Sequence, residues 1–343
     1  MALTRRSVLL ALPLYAGALI ACASATRRSQ NGSGYWEIAV RSPVSRPKAT
    51  LLVFMPETVQ TKEVWTGLSD ELSKDFRLVA VRVENADSAS TIAEGMRRYQ
   101  PSAVVLMNNP TVSAYRDFQA ASGLREYPPA VVVMSSFLDS QSSRIGASTG
   151  ISYEVPLITA MTNLRKIVAM PTERVGVLVR PSLTRFVNRQ IQLARREQIT
   201  VLTEPVSNNS NSSEIKRALR RLKKSAQVIW VLNDDRMLTP ELIADGWLPG
   251  LNERPWLPTI VGAASLVSPS QSFGTFAVLP DHTALGTQAA SILFDIADNG
   301  WSLSGNSDIQ LPLSTTTTID LTQVRERFSL RQEALQQIDR IME

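Results

Sequence analysis

The sequence predicts an α/β fold of two doubly wound parallel-sheet lobes joined by a hinge. Apolar, β-rich segments alternate with amphipathic helical segments along the chain. The apolar segments are continuous, which is typical of strands buried on both faces of a parallel sheet. The alternation then starts again near residue 156. A chain of 343 residues has room for two such lobes, since lobes of roughly 100–200 residues are common.

The first lobe is predicted to contain four strands and three helices. The strands fall at 49–55, 77–83, 102–107 and 130–134, and the helices at 63–74, 88–99 and 112–121. Residues 35–40 also have the composition of a short edge strand.

The second lobe repeats the pattern. Helices are predicted at 156–168, 184–198, 213–224 and 239–246, and strands at 174–179, 200–205, 227–232 and 259–262. A strand at 273–279, a helix at 283–297 and a terminal strand at 309–320 complete the chain. With a crossover near 144–152, we expect an amino lobe of residues 48–148 plus 280–307, and a carboxyl lobe of residues 149–279 plus 308–343.

The amino terminus has the pattern of an export signal over residues 1–21. Arg5 and Arg6 form a short basic head, and an apolar segment follows at 8–20. This segment is shorter than the roughly 20 residues of a membrane-spanning helix, and Pro13 interrupts it. Residues 22–47 are rich in Ser, Arg, Gly and Asn, which predicts a flexible tether over anionic lipid headgroups.

The cysteine at the end of the signal suggests a lipid anchor. Leu19-Ile20-Ala21-Cys22 resembles the bacterial lipobox, in which the cysteine is acylated and becomes the first residue of the mature chain. An ordinary signal with a buried cysteine is the alternative. Residues 4–10 also resemble a twin-arginine motif, so the export route stays open.

Composition excludes several kinds of site. With one cysteine, Cys22, no internal disulfide can form, and one histidine, His282, leaves too few ligands for most zinc or copper sites. The net charge of +5 is small for a chain with 36 basic and 31 acidic residues. We therefore predict no metal, no cofactor and no nucleic-acid partner. No nucleophile motif accompanies His282, so the prediction is also that the protein is not an enzyme.

Several motifs occur together in the second half of the chain. They are Thr149-Gly150-Ile151-Ser152 with Glu154-Val155-Pro156-Leu157, Arg174-Val175-Gly176-Val177-Leu178 before Pro181-Ser182, Gly274-Thr275-Phe276-Ala277 before Asp281, and Ile319-Asp320-Leu321. In this order they resemble the substrate-binding lipoproteins of ABC transporters from tryptophan and tyrosine uptake operons. The resemblance implies the type I periplasmic binding protein fold, a small-molecule ligand between the lobes, and an ABC permease as partner.

Two segments of the first lobe are similar to the family's ligand loops. Met107-Asn108-Asn109-Pro110 is similar to the polar loop after its third strand, and Met134-Ser135-Ser136 stands where it has a ligand-contacting loop. Doubly wound sheets bind ligands at the carboxyl ends of their strands, so we expect contacts from strand-end loops. The candidate ligand-binding residues are Glu57, Thr58, Asn108, Asn109, Ser135, Ser136, Arg180, Ser182, Asn233, Asp234, Ser265 and Asp281.

Each candidate also has a structural interpretation. Ser, Thr, Asn and Asp at these positions fit helix N-caps and turns as well as ligand contacts. Arg180 stands where the family commonly has asparagine, and its guanidinium could hold a ligand carboxylate by two parallel hydrogen bonds. Asp234 could accept from a ligand amine or cap the next helix.

The sequence leaves two functions open. The first is a lipid-anchored, extracytoplasmic solute-binding protein that closes over a small polar molecule, such as an amino acid, and passes it to an ABC importer. The second is an envelope lipoprotein that uses this fold to regulate or scaffold another envelope component. Ala23 replaces the aspartate that commonly retains lipoproteins at the inner membrane. In a Gram-negative cell this permits sorting to the outer membrane, which favours the second function.

Overall fold

The chain is described here from a computed structural model. The described residues are 36–43, 45–83, 88–139, 145–303 and 308–343. They form two mixed sheets in which parallel pairs dominate, each with helices packed on both faces. The predicted fold class is confirmed. The predicted export signal, Cys22 and Ala23 lie outside the described residues.

The first sheet, here called the amino sheet, has the strand order β1-β3-β2-β4-β5-β6. Its strands are β1 (Trp36–Arg41), β2 (Thr50–Met55), β3 (Arg77–Arg82), β4 (Ala103–Met107), β5 (Ala130–Val133) and β6 (Ser148–Gly150). All pairs are parallel except β1, which runs antiparallel to β3 at the edge. The edge strand suggested by residues 35–40 is therefore present.

Helices cover both faces of the amino sheet. They are α1 (Val59–Leu72), α2 (Ser88–Tyr99) and α3 (Asn109–Ser122), together with a helix from much later in the chain (His282–Asp298). Ile92, Tyr115 and Phe118 of α2 and α3 pack on one face. The other face is covered by α1 and by Leu285 and Leu293 of the late helix.

The second sheet, the carboxyl sheet, has the strand order β13-β12-β11-β10-β9-β7-β8. Its strands are β7 (Arg174–Val179), β8 (Thr200–Pro205), β9 (Val228–Trp230), β10 (Thr259–Val261), β11 (Phe276–Pro280), β12 (Thr315–Asp320) and β13 (Arg340–Met342). Its helices are α4 (Leu157–Ile167), α5 (Thr184–Arg195), α6 (Ser212–Lys223), α7 (Pro240–Leu242), α8 (Leu248–Asn252) and α10 (Leu321–Arg327), which leaves α9 for the late helix of the amino sheet. Only β12 pairs antiparallel, with β11.

Three predicted elements need correction. The predicted helix at 239–246 is divided in the structure into α7 and a π turn at Ile243–Trp247, which α8 follows. The division occurs because Pro249 fits best at the start of a new helix. The terminal strand begins at Thr315 rather than 309, and only Gln310 forms an earlier bridge, to Ile151. Within the predicted crossover at 144–152, β6 adds a strand beside β5.

The basic helix α6 has one buried ammonium. Lys223 donates hydrogen bonds to the carbonyl oxygens of Gly250 at 2.9 Å, Leu251 at 3.1 Å and Glu253. Burial lowers the pKa of Lys223 to about 8. The sequence did not indicate that Lys223 would be buried, because it follows the same pattern as its exposed neighbours. In the structure Lys223 caps the carboxyl end of α8.

Helices α1 and α9 cross so closely that their backbones touch. A Cβ atom added to Gly67 of α1 would collide with the carbonyl oxygen of Thr283, and one added to Gly286 of α9 would collide with that of Val64. Glycine is required at both positions because the obstacle is backbone and cannot rotate away. The contact fixes the start of α9 to the amino sheet.

We predict that Gly67→Ala lowers the free energy of unfolding by about 1–3 kcal/mol, the usual effect of overpacking a core. Gly146→Ala is the matched control, because the nearest atom to its added Cβ would lie 3.8 Å away, at ordinary contact distance. Urea denaturation measures both variants. Equal stability of the two would contradict the close crossing.

Candidate functional site

An opening lies between the two sheets, at the carboxyl ends of strands from both. Its lining includes Phe137 after β5, residues 153–155 after β6, and the ends of β9 and β10. The volume of this opening is only about 30 Å³, which is far below the ~300–1,000 Å³ typical of small-molecule sites. We call this nearly filled space the inner cleft.

Aromatic side chains from both lobes fill the inner cleft. The ring of Phe137 lies edge-on to that of Phe186, with centroids 5.1 Å apart. Phe186, near the start of α5, lies 6.1 Å from Trp230 of β9. Edge-to-face and tilted contacts at these separations are favourable. The cluster therefore joins the loop after β5 to the carboxyl sheet.

A second opening adjoins the inner cleft and shares Phe137, Glu154 and Phe186 with it. It leaves about 280 Å³ for solvent, close to the lower end of the ~300–1,000 Å³ typical of small-molecule sites. The hydroxyl-bearing residues Ser152 and Ser182 line it. We call this space the outer pocket. Both its size and its mixed lining suit a small polar molecule.

Charged side chains of both signs face the outer pocket. Arg189 of α5 forms an ion pair with Asp139, which belongs to the loop after β5. Arg185, one turn earlier on α5, has no acidic partner within the described part of the chain. An unpaired guanidinium at the mouth of a pocket can bind a carboxylate through two parallel hydrogen bonds.

Glu154 lies where the outer pocket meets the inner cleft. Its carboxylate accepts hydrogen bonds from the backbone N–H of Phe137 at 2.8 Å and from the hydroxyl of Ser152 at 3.2 Å. Burial raises the pKa of Glu154 to about 7, although these hydrogen bonds act in the opposite direction. The carboxyl group can therefore accept a hydrogen bond when it is ionised and donate one when it is protonated.

The neighbouring residue, Tyr153, begins a hydrogen-bonded chain at the hinge. Its hydroxyl lies 2.9 Å from Nε2 of His282, and Nδ1 of His282 lies 2.8 Å from Oε2 of Glu63. Burial raises the pKa of Tyr153 to about 12, so its hydroxyl keeps its proton. In a neutral imidazole the tyrosine donates to Nε2, and Nδ1–H donates to Glu63. The network ties the connection after β6 and the start of α9 to α1.

Three of the predicted site residues are helix N-caps. The side chains of Thr58, Asn108 and Asp281 each accept from a backbone N–H three residues ahead, at 3.2, 3.0 and 3.0 Å. A cap satisfies an N–H group that the helix itself leaves unpaired. These side chains thus perform the structural role that the sequence analysis left open for them.

The predicted carboxylate-binding arginine has a partner within the protein. Arg180 Nε donates to Asp234 Oδ2 at 2.6 Å, and Nη2 donates to Oδ1 at 2.7 Å. Both residues are buried, and the hydrogen bonds from Arg180 to Asp234 raise the pKa of Arg180. Asp234 accepts from one N–H each of Nε and Nη2, and Nη1 is directed towards Asn208 at 3.5 Å. Asp234 therefore neutralises the charge that we assigned to a ligand.

Two predicted loops of the amino lobe meet each other and the carboxyl lobe. Asn109 accepts from the hydroxyl of Ser135 at 2.5 Å. Across the cleft, Asn233 donates to the hydroxyl of Ser136 at 3.1 Å. Polar residues at strand ends of the two lobes therefore lie together and have each other as hydrogen-bond partners.

The remaining predicted residues are spread along the edge of the cleft. Glu57 is exposed and pairs with Lys62 at 3.2 Å and Arg82 at 3.6 Å. Ser182 lines the outer pocket. Ser265 is exposed on a short 3₁₀ turn at Ala264–Leu266.

Sequence reasoning missed most of the outer pocket. Phe137, Arg185 and Phe186 lie within a loop and at a helix start, where an aromatic or basic residue carries no specific signal. Glu154 was within the motif that carried the family resemblance, but nothing in its spacing indicated that it would be half-buried between two openings. These residues become a site only when the lobes face each other.

Comparisons with known proteins place the fold. No protein-family model matches the chain, and no curated protein matches it. Among solved structures, an ABC domain in complex with L-Trp from Streptococcus pneumonia is 14% identical, with a TM-score of 0.54 over 85% of this chain and all of that one. A conserved domain protein from Vibrio cholerae is 16% identical, with a TM-score of 0.54 over 85% of this chain and 98% of that one.

A third structure extends the comparison. The ligand-free, open structure of a substrate-binding protein with adhesive properties from Clostridium difficile is 13% identical, with a TM-score of 0.55 over 80% of this chain and 93% of that one. The structures similar to this chain thus include an ABC domain with bound L-Trp and a substrate-binding protein. The two-lobe α/β fold of this chain is that of type I periplasmic binding proteins.

Neither a metal site nor a membrane-spanning helix occurs among the described residues. They contain no group of three or more His, Cys, Asp or Glu side chains placed to hold a metal ion. None of the helices in the ranges given above is both long and apolar enough to span a membrane.

We predict that Glu154→Gln stabilises the protein increasingly as the pH rises from about 4.5 to about 8. A carboxyl group whose folded pKa is raised to about 7 favours folding less and less across this range, because the unfolded state ionises first. Gln keeps an acceptor but has no charge to bury. The gain at pH 8 should be on the order of 1–3 kcal/mol, and it should vanish near pH 4.

Chemical denaturation at several pH values measures this difference. The exposed Glu197→Gln is the control and should show no comparable trend. A Glu154→Gln effect that is independent of pH would mean that the carboxyl group is not buried as described.

Proposed function

We propose that the protein is an exported, lipid-anchored solute-binding protein that closes its lobes over a small polar molecule and delivers it to an ABC importer. The single observation that carries this proposal is the outer pocket, because its lining comes from the loop after β5, the connection after β6 and the start of α5. A solute there touches both lobes and the hinge at once. Its binding free energy would therefore favour the closed arrangement.

The side chains around the outer pocket favour an amino-acid-like solute. Arg185 can bind a carboxylate, and Glu154 in its ionised form can bind an ammonium group. Phe137 and Phe186 offer aromatic surface to an apolar side chain. In this arrangement Arg185 takes the role that we first assigned to Arg180, whose charge Asp234 already neutralises.

The anchor and the partner rest on the amino terminus and on the fold. Acylation of Cys22 would hold the protein at the outer face of a membrane, with the segment between Cys22 and β1 as the connection; the predicted tether of residues 22–47 is shorter than expected, because Trp36–Arg41 belongs to the amino sheet. The structural neighbours that are ABC transporter substrate-binding proteins support a permease as the receiving partner. Localisation on the periplasmic side of the envelope follows from both arguments.

One observation favours the second candidate, an envelope lipoprotein that regulates or scaffolds another component. The lobes already contact each other through Ser136 and Asn233, and aromatic side chains fill the inner cleft. Ala23 in place of aspartate points the same way, since it permits sorting to the outer membrane. A protein that is closed without solute could present a fixed surface to a partner.

We predict that one or more amino acids, screened with nucleosides and small organic acids, raise the melting temperature of the protein. Arg185→Ala should then weaken binding of that solute by about 10- to 150-fold, the effect of losing a charged hydrogen-bond partner. Arg195→Ala, exposed at the far end of α5, is the matched control and should leave affinity unchanged. If nothing in the screen raised the melting temperature, the scaffold function would be favoured.

We also predict that Cys22→Ser moves the protein from the membrane fraction to the soluble fraction and removes a diacylglycerol-sized mass from its amino terminus. A thioether-linked lipid needs the cysteine sulfur, and serine cannot replace it in this reaction. Ser24→Ala is the control and should stay with the membrane. Membrane fractionation followed by mass spectrometry checks both, and an unacylated wild-type Cys22 would exclude the anchor.

A further inference from the structure

The loop after β5 places two successive side chains in the cores of two different lobes. Leu138 is 1% exposed and belongs to the core formed by α2, α3 and the amino sheet. Phe137 packs instead against the core of the carboxyl sheet and α5. A residue of one lobe thus completes the apolar packing of the other, which mere proximity of two surfaces would not produce.

The backbone of this loop is adapted to the split. Met134 and Phe137 have φ values of 57° and 53°, in the left-handed region. Non-glycine residues rarely adopt this conformation, and they keep it only where the surroundings stabilise it. Here it reverses the chain so that Phe137 leaves the lobe in which Leu138 is buried.

Contacts on either side of Phe137 also cross the cleft. Ser136 accepts a hydrogen bond from Asn233 at 3.1 Å. Asp139 forms an ion pair with Arg189. Residues 136, 137 and 139 therefore combine a neutral hydrogen bond, an aromatic contact and an ion pair, all directed at the carboxyl lobe.

We infer that residues 136–139 are a latch that closes the two lobes in the absence of solute, with Phe137 occupying the inner cleft in place of a ligand. A solute is then confined to the outer pocket, where Phe137 forms one wall. This inference goes beyond the proposed function, in which closure is the result of solute binding. It concerns the solute-free protein and can be tested whether or not a solute is found.

The latch has a consequence for ligand response. A solute shifts an equilibrium only by the difference between its affinities for the two states. If the chain itself already populates the closed state, solute binding changes the distance between the lobes little. Removing Phe137 should restore a solute-free population of open molecules.

The test is the distance between spin labels on the two lobes, measured by pulsed electron paramagnetic resonance on the full chain without solute. Leu124→Cys, at the end of α3 away from the cleft, and Arg217→Cys on α6 supply exposed label sites, with Cys22→Ser to remove the native thiol. Phe137→Ala is the test variant. Val40→Ala, which shortens an exposed apolar side chain on β1, is the control.

We expect one narrow distance distribution for the parent and for Val40→Ala. Phe137→Ala should show a second, open population at a longer distance between the labels. This open population should be at least about tenfold larger than in the parent. Phe186→Ala removes the partner ring from the carboxyl lobe and should have the same effect, which keeps the test valid if Phe137→Ala does not fold. A broad or bimodal distribution in the parent would overturn the latch, as would distributions that neither phenylalanine substitution alters.

Discussion

The central strands of both sheets bury apolar side chains on both of their faces, and this constraint decides where the protein can place polar chemistry. Every residue of β4 and β5 is buried, and all are apolar. A polar side chain in such a strand would need a partner in the core, since an unpaired one costs several kcal/mol. Polar and charged groups are therefore displaced to the strand ends. There the two lobes face each other, so one edge carries the outer pocket, the hinge network and the cross-cleft contacts.

The buried pair of Arg180 and Asp234 follows from the same constraint. Arg180 directly follows β7 and Asp234 lies in the loop after β9, two strands that are neighbours in the carboxyl sheet. Each charge is removed from water and is tolerated because the other satisfies it with two hydrogen bonds. Taking Arg180 away to bind a solute would leave Asp234 unpaired, which is unfavourable by about 3–5 kcal/mol. Arg185 has no acidic partner among the described residues, which is why we propose it rather than Arg180 for binding a solute carboxylate.

The fold was predictable where a long apolar segment determines an element by itself. Residues 174–179 were predicted as a strand with the bounds that the structure has, because every residue after Arg174 in this segment is apolar or glycine. Two of the short strands, β6 and β13, were not predicted; each has three residues and pairs with a strand that only the fold brings alongside it. The edge strand β1 was predictable in part. Its composition indicated a strand, but its pairing with β3 depends on the tertiary fold.

The residues of the candidate site also differ in how far the sequence could predict them. Thr58, Asn108 and Asp281 were found because polar residues follow apolar strands, but that pattern is shared by helix caps and ligand contacts, and capping is what the structure shows for these three. Phe137 and Glu154 had no such pattern. Their importance depends on which core a side chain enters and how much water it loses, quantities that exist only after the two lobes are packed together.

Glu154 contacts both the loop after β5 and the outer pocket. Its carboxylate accepts the backbone N–H of Phe137, so it holds the loop that crosses the cleft, and it also faces the outer pocket. A cation bound in the pocket would favour the ionised carboxylate and lower its pKa from about 7. Ionisation strengthens the hydrogen bond from Phe137, because a charged acceptor binds an N–H group more tightly than a neutral one. Linkage makes this effect reciprocal, so a contact that orders the loop around Phe137 would also favour a cation at Glu154.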